Sequence, residues 1–270
     1  MVASQKPVGT ITRGTTSPNR LRRVDRWLAG PQAWRLRRRT DVPVVVDLGF
    51  GDSPVTALEL HERLRRVRGD VEVVGVEIDP ERVAAARTLE RPGLTFRPGG
   101  FEVPLDGTDR PTLVRAFNVL RQYDEDQVEG AWSLVRARLA PDGLLVDGTC
   151  DELGRRSSWV AVDVDGPQTL TISVRLAGLR LPSEVAERLP KALIHRNVPG
   201  EGIHDLLQSL DRAWLHAAPH GAYGVRQRYL AAAHAVRAQG WPVVGGPEPV
   251  ASRRDHRGVV SGATPRVTLR

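Results

Sequence analysis

The chain has 270 residues, with 39 Lys and Arg against 32 Asp and Glu for a formal charge of +7, and one cysteine. That length holds one large domain or two small ones, and a lone Cys150 excludes a scaffold built on internal disulfides. No apolar run reaches the roughly 18–20 residues of a membrane span and no apolar stretch follows the basic N-terminus, so a cytoplasmic protein is expected.

The charge is uneven: residues 1–41 carry +8, residues 251–270 carry +4, and the chain between carries −5. Residues 1–41 read as a basic N-terminal arm with short helices. The first 20 residues, rich in Gly, Thr, Ser and Pro, are expected to be mobile. Leu21 to Arg39 then suits two short helices broken near Gly30-Pro31, with Leu21, Val24, Trp27 and Leu28 able to dock on a core.

From residue 42 strands and helices alternate. The β-branched run 42–48 reads as a strand buried on both faces. Ser53 and Pro54 open a helix as N-cap and first helical residue. Residues 71–78 are a second strand, and Asp79-Pro80 opens a second helix through Arg87 in the same way. A third strand lies around Leu94 to Phe96 and a fourth over 112–120. An acidic turn, Asp124 to Asp126, begins a helix whose inner face is Val128, Trp132, Val135 and Leu139. Residues 144–150 form a fifth strand, and two further runs flanking Gly166-Pro167 suit a β-hairpin at a sheet edge. The expected fold is α/β, Rossmann-like and doubly wound, with a mostly parallel sheet and that hairpin edge. Residues 42–182 form its core, 183–244 a C-terminal helical elaboration with Leu206, Leu207, Leu210, Trp214 and Leu230 inside, and 245–270 a disordered basic tail.

The segment VVVDLGFGDSP (44–54) carries the chemistry. A buried strand ends at Asp47, and Gly49 and Gly51 then make a turn whose missing Cβ atoms let backbone approach a ligand above the sheet. The second strand ends in Glu77, where a carboxylate can accept hydrogen bonds from both hydroxyls of a ribose. A dinucleotide would want G-x-G-x-x-G, but residue 54 is proline, and Asp47 and Asp52 place negative charge where a pyrophosphate would lie. Those carboxylates suit a cationic cofactor better.

DLGFGDS (47–53), GVEIDPERV (75–83) and the strand order resemble a class I S-adenosylmethionine (SAM)-dependent methyltransferase over roughly residues 42–180. The resemblance implies SAM as cofactor and transfer of its methyl group to an acceptor it does not identify. It implies that Asp47, Gly49, Phe50 and Gly51 form the methionine-side loop, that Glu77 holds the ribose and that Ile78 packs on the adenine. It places Gly99, Gly100 and Phe101 at the adenine edge, through backbone and the phenyl wall, and Asn118 facing the transferring methyl. No general base is implied, because positioning supplies much of the rate in such a transfer.

Two alternatives stand beside this one: a nucleotide-dependent oxidoreductase using NAD, and a non-catalytic SAM-binding protein whose basic arm takes a partner. Arg35, Arg37, Arg38 and Arg39 beside Trp34 make that arm a candidate for nucleic-acid phosphates. Cys150 is expected to be buried rather than nucleophilic. His216 and His220, with Pro219 between them, lack the pattern of a zinc helix.

Overall fold

The structure, a computed structural model, describes residues 7–12, 14–107 and 109–243, and 266–269 in backbone only. Two short helices, α1 (Arg22–Ala29) and α2 (Ala33–Arg37), precede the first strand, β1 (Val44–Leu48). Then come α3 (Val55–Arg65), β2 (Glu72–Glu77), α4 (Pro80–Arg87), β3 (Leu94–Pro98), β4 (Leu113–Phe117), α5 (Glu125–Arg138) and β5 (Leu144–Cys150). The hairpin β6 (Arg156–Asp163) and β7 (Gly166–Val174) follows. After it lie α6 (Lys191–Ile194), α7 (Gly202–His216), α8 (Val225–Ala238) and β8 (Arg266–Leu269).

Among the described residues the strands make one eight-stranded sheet in the order β3-β2-β1-β4-β5-β6-β7-β8. The first five are mutually parallel, and β6 runs antiparallel to both neighbours. The chain steps from β1 outward to β2 and β3, then returns to lay β4 on the other side of β1. That reversal opens a crevice at the carboxyl ends of β1 and β4, where open α/β sheets take their ligands.

Both faces of the sheet are covered. Val44, Val46 and Leu48 of β1 face a layer that includes Trp132 of α5 and Leu206, Leu210 and Trp214 of α7. Val45 faces the other layer, with Leu60 and Leu64 of α3 and Leu28 of α1. Leu21, Val24, Trp27 and Leu28 are all buried as their spacing predicts, and Trp27 meets Trp159 of β6 edge-on with ring centroids 5.6 Å apart. Leu206, Leu207, Leu210 and Trp214 are buried too, whereas Leu230 is only half-buried and its neighbour Tyr229 is the residue inside.

The hairpin forms where Gly166-Pro167 predicts it, but β8 pairs in parallel with β7 and lies outside it. The expected disordered tail thus ends in an edge strand at 266–269; the rest of that segment lies outside the described residues. The sequence R-V-T-L alternates polar with apolar residues, which suits a strand. No helix among the described residues is long and apolar enough to cross a membrane.

Candidate functional site

The site is built at the β1–β4 crevice. Gly49 and Gly51, in the turn after β1, hold φ of 72° and 80°, a left-handed region that costs a side chain strain. A Cβ on Gly49 would lie 2.6 Å from Val119, which follows β4, so the loop touches the far wall of the crevice. Glu77 is buried at the end of β2. One of its oxygens accepts from the Gly51 N–H at 2.9 Å, and the other from the Ile78 N–H at 2.9 Å. Arg82 of α4 stands 3.9 Å from the same carboxylate and forms a closer pair, at 2.5 Å, with Asp52. The helix carrying Arg82 is set by Asp79, whose carboxylate accepts from the N–H groups of Glu81 and Arg82.

Beyond Glu77, Ile78, Gly100 and Phe101 line the crevice together with Gly49 and with Tyr123, which follows β4. The Phe101 and Tyr123 rings meet edge to face, 5.4 Å apart. Val103, just past Phe101, is buried with φ of 48°, an outlier for a β-branched residue. It is held by its N–H bond to the Gly100 carbonyl at 3.0 Å.

The segment expected to be mobile runs into this crevice. The Val8 carbonyl accepts from Phe101 N–H at 3.0 Å, and the Val8 N–H donates to the Glu102 carboxylate at 2.8 Å. The Thr10 N–H donates to the Tyr123 hydroxyl at 2.6 Å. Further along, the Thr12 carbonyl accepts from Arg82 at 3.0 Å, and the Gly14 carbonyl from the Asp52 N–H at 3.1 Å. The low apolar content of the first 20 residues is the ground for expecting a mobile arm. It does not reveal that main-chain groups suffice to seat the arm where a cleft offers unpaired partners.

Three expected site residues turn their side chains away from the crevice. Asp47 points to the opposite face of the sheet from the crevice-side residues Val46 and Leu48, because side chains alternate along a strand. It binds its β4 neighbour Arg115 through two hydrogen bonds of 2.9 and 2.7 Å and also accepts from Thr56 of α3. The expectation that it offers charge to a ligand is therefore corrected. Phe50 turns into the same layer and packs on Phe96, with centroids 5.3 Å apart. Asn118 adopts φ of 60°, and its side chain ties β4 to β5: its carbonyl accepts from Cys150 N–H at 3.0 Å. Cys150 is buried as expected. Glu102 and Tyr123, which the motif spacing does not point to, also belong to the crevice; the one local sign of Glu102 is an acidic residue directly after Phe101.

The arginines of the basic arm are largely engaged within the chain. Arg20, Arg22 and Arg23 donate to carbonyls of the β5–β6 turn at Asp151, Leu153 and Gly154. Arg35 donates to the Asp142 carbonyl, and Arg39 pairs with Asp41.

The chemistry of the residues lining the crevice beneath the arm suits an adenosyl group. Phe101 N–H and the Glu102 carboxylate already hold one acceptor and one donor of a peptide, and the edge of an adenine presents the same pair. Ile78 and Phe101 offer apolar walls, and Glu77 offers an acceptor one strand-end away from the glycine turn.

Scanned against models of protein families the sequence matches none, and no curated protein matches it. Among solved structures it is similar to a plantazolicin methyltransferase at 13% identity, over 49% of this chain and 46% of that one, with a TM-score of 0.38. The CMeT domain of the citrinin polyketide synthase is 19% identical over 42% and 31% of the two chains, with a TM-score of 0.36. A pericyclic reaction enzyme is 16% identical over 44% and 31%, with a TM-score of 0.37. The chain thus spans less than half the length of each of these three proteins. The Rossmann-like class rests on the strand order and crossovers of this chain, not on these likenesses.

Proposed function

We propose that the chain binds SAM in the β1–β4 crevice and transfers its methyl group to an acceptor. The observation that carries this reading is the buried Glu77 carboxylate at the end of β2, linked to the Gly49–Gly51 turn and flanked by Ile78, Phe101 and Glu102. Pro54 supports SAM over NAD, since it stands where the dinucleotide pattern has its third glycine and has no N–H to give a pyrophosphate.

When bound, SAM supplies an electrophilic methyl carried by a sulfonium. The chain's own contribution is placement. Glu77 would accept from the ribose hydroxyls, Phe101 N–H and Glu102 would take the adenine edge, and Ile78 with Phe101 would keep water off the base. The glycine turn would let the backbone approach the amino-acid end of the cofactor. No protein group is assigned the task of removing a proton from the acceptor.

Titration calorimetry with SAM, S-adenosylhomocysteine and NAD tests the cofactor. The two sulfur compounds should bind, and Glu77→Ala should weaken them by tenfold or more while the circular dichroism of the fold is kept. Binding of NAD alone would overturn the reading. Labelled SAM incubated with cell extract tests turnover; SAM binding without any labelled product would favour a non-catalytic binding protein.

A further inference from the structure

Resting on the SAM reading, we propose that residues 8–12 and 14–16 are an intramolecular occupant of the adenosyl crevice, which the cofactor must displace. The arm follows the crevice from one end to the other. Its Val8 peptide takes the Phe101 N–H and the Glu102 carboxylate, the donor–acceptor pair suited to an adenine edge. Its far end reaches the glycine turn, where Gly14 accepts from the Asp52 N–H and the Thr16 hydroxyl donates to the Phe50 carbonyl at 3.1 Å.

The seating is close enough to require glycine on both sides. Gly9 holds φ of 137°, and a Cβ there would stand 2.8 Å from both Ile78 and the Tyr123 hydroxyl. A Cβ on Gly100 would come within 2.0 Å of the Val8 carbonyl, and one on Gly51 within 2.9 Å of the Gly14 carbonyl. With the arm in place the crevice keeps a cavity of about 10 Å³, room for about one water molecule, whereas small-molecule pockets run to roughly 300–1,000 Å³. An adenosyl group and the arm therefore exclude one another.

The arm is also built to leave. Its contacts are mainly single hydrogen bonds, and Val8 and Ile11 remain 41% and 56% exposed, so little apolar burial opposes release. Downstream the chain is anchored: Arg20 donates to the Asp151 carbonyl, and α1 is buried through Val24, Trp27 and Leu28. Residues 8–12 and 14–16 can swing out while the chain from Ser17 onward stays docked.

Hydrogen exchange and calorimetry on the full chain, with S-adenosylhomocysteine as the probe, test this. In the free protein the Thr10 amide should be protected, and adding the probe should remove that protection. Gly9→Val, which collides with Ile78 and Tyr123, and Val8→Pro, which lacks the N–H for Glu102, should each bind the probe about tenfold more tightly than the parent. Unchanged or weaker binding by both variants, or a Thr10 amide that stays protected in the complex, would mean that the arm covers the cofactor and would overturn the inference. If neither parent nor variants bind the probe, the SAM reading fails and the inference with it, and Thr10 protection in the free chain then reports arm docking alone.

Discussion

Two buried carboxylates of the same sheet, Glu77 on β2 and Asp147 on β5, show how one chemical group takes different roles from its surroundings. Glu77 is buried but accepts from several backbone N–H groups, which is how a protein keeps a carboxylate inside. Asp147 on β5 is 1% exposed and has one hydrogen bond, from the Trp132 indole at 3.1 Å. Burial outweighs that bond and pushes its pKa up to about 7 from an ordinary 3.8. Because the folded pKa lies above the unfolded one, its contribution to stability is full below pH 4 and is lost as pH rises toward 7. The loss is at most about 4 kcal/mol for a shift of this size. Asp147→Asn keeps an acceptor for Trp132 and removes the titration. Its melting temperature relative to the parent should rise as pH goes from 4 to 8; a difference that stays constant with pH would contradict this account.

At the scale of elements, the helix starts above the sheet are set by short local signals. Asp79 caps α4 as its sequence predicts, and on α5 the Gln127 side chain reaches back to accept from the Asp124 N–H at 3.0 Å. In α3 the boundary moves by one: Pro54 is the cap residue and the helix begins at Val55, with the Ser53 hydroxyl accepting from Val55 N–H at 3.4 Å. These caps position functional groups, because α4 carries Arg82 toward Asp52 and the arm. Asp79→Ala should cost about 1 kcal/mol in chemical denaturation, as losing an N-cap does. Asp79→Asn, which can still accept from the same N–H groups, should retain most of it. Equal losses in the two variants would show that the charge, through Arg82 at 3.6 Å, matters more than the cap.

Across the whole molecule, a buried charge chain joins the N-terminal helices to the sheet. Arg63 of α3 meets Asp25 of α1 at 2.5 Å, Asp25 meets Arg115 of β4, and Arg115 meets Asp47 of β1. Burial raises the Asp25 pKa, with Arg115 and Arg63 acting against it. Burial alone would lower that of Arg115, but the two flanking carboxylates more than offset this and hold it raised. The four charges sum to zero, and Asp25, Asp47 and Arg115 are buried, so removing Arg115 leaves an uncompensated buried carboxylate. Arg115→Met should therefore cost about 3–5 kcal/mol, seen as a large drop in the denaturation midpoint. A loss below 1 kcal/mol would mean that water or rearrangement compensates. The same docking leaves the +8 of residues 1–41 partly spent inside the chain, since Arg20, Arg22 and Arg23 donate to the turn after β5.

Much of this protein is legible along the chain because the signals are local. The run at 44–48, the turn glycines, the Asp79-Pro80 start and the inner face of α5 are dictated by spacing, dihedral preference and capping, each acting over a few residues. From those follow the layered sheet and the place of Glu77, Ile78 and Phe101 at its carboxyl ends. Partners far apart in sequence are another matter. That Asp47 spends its charge on Arg115 follows from strand parity and the pairing of β1 with β4, 68 residues apart. That the arm fills the crevice depends on the N–H groups of Phe101 and Asp52 and the Glu102 carboxylate meeting a glycine-bearing segment more than 35 residues upstream of each. Periodicity carries no trace of such meetings; they are decided only when the folded sheet brings the partners within hydrogen-bonding distance.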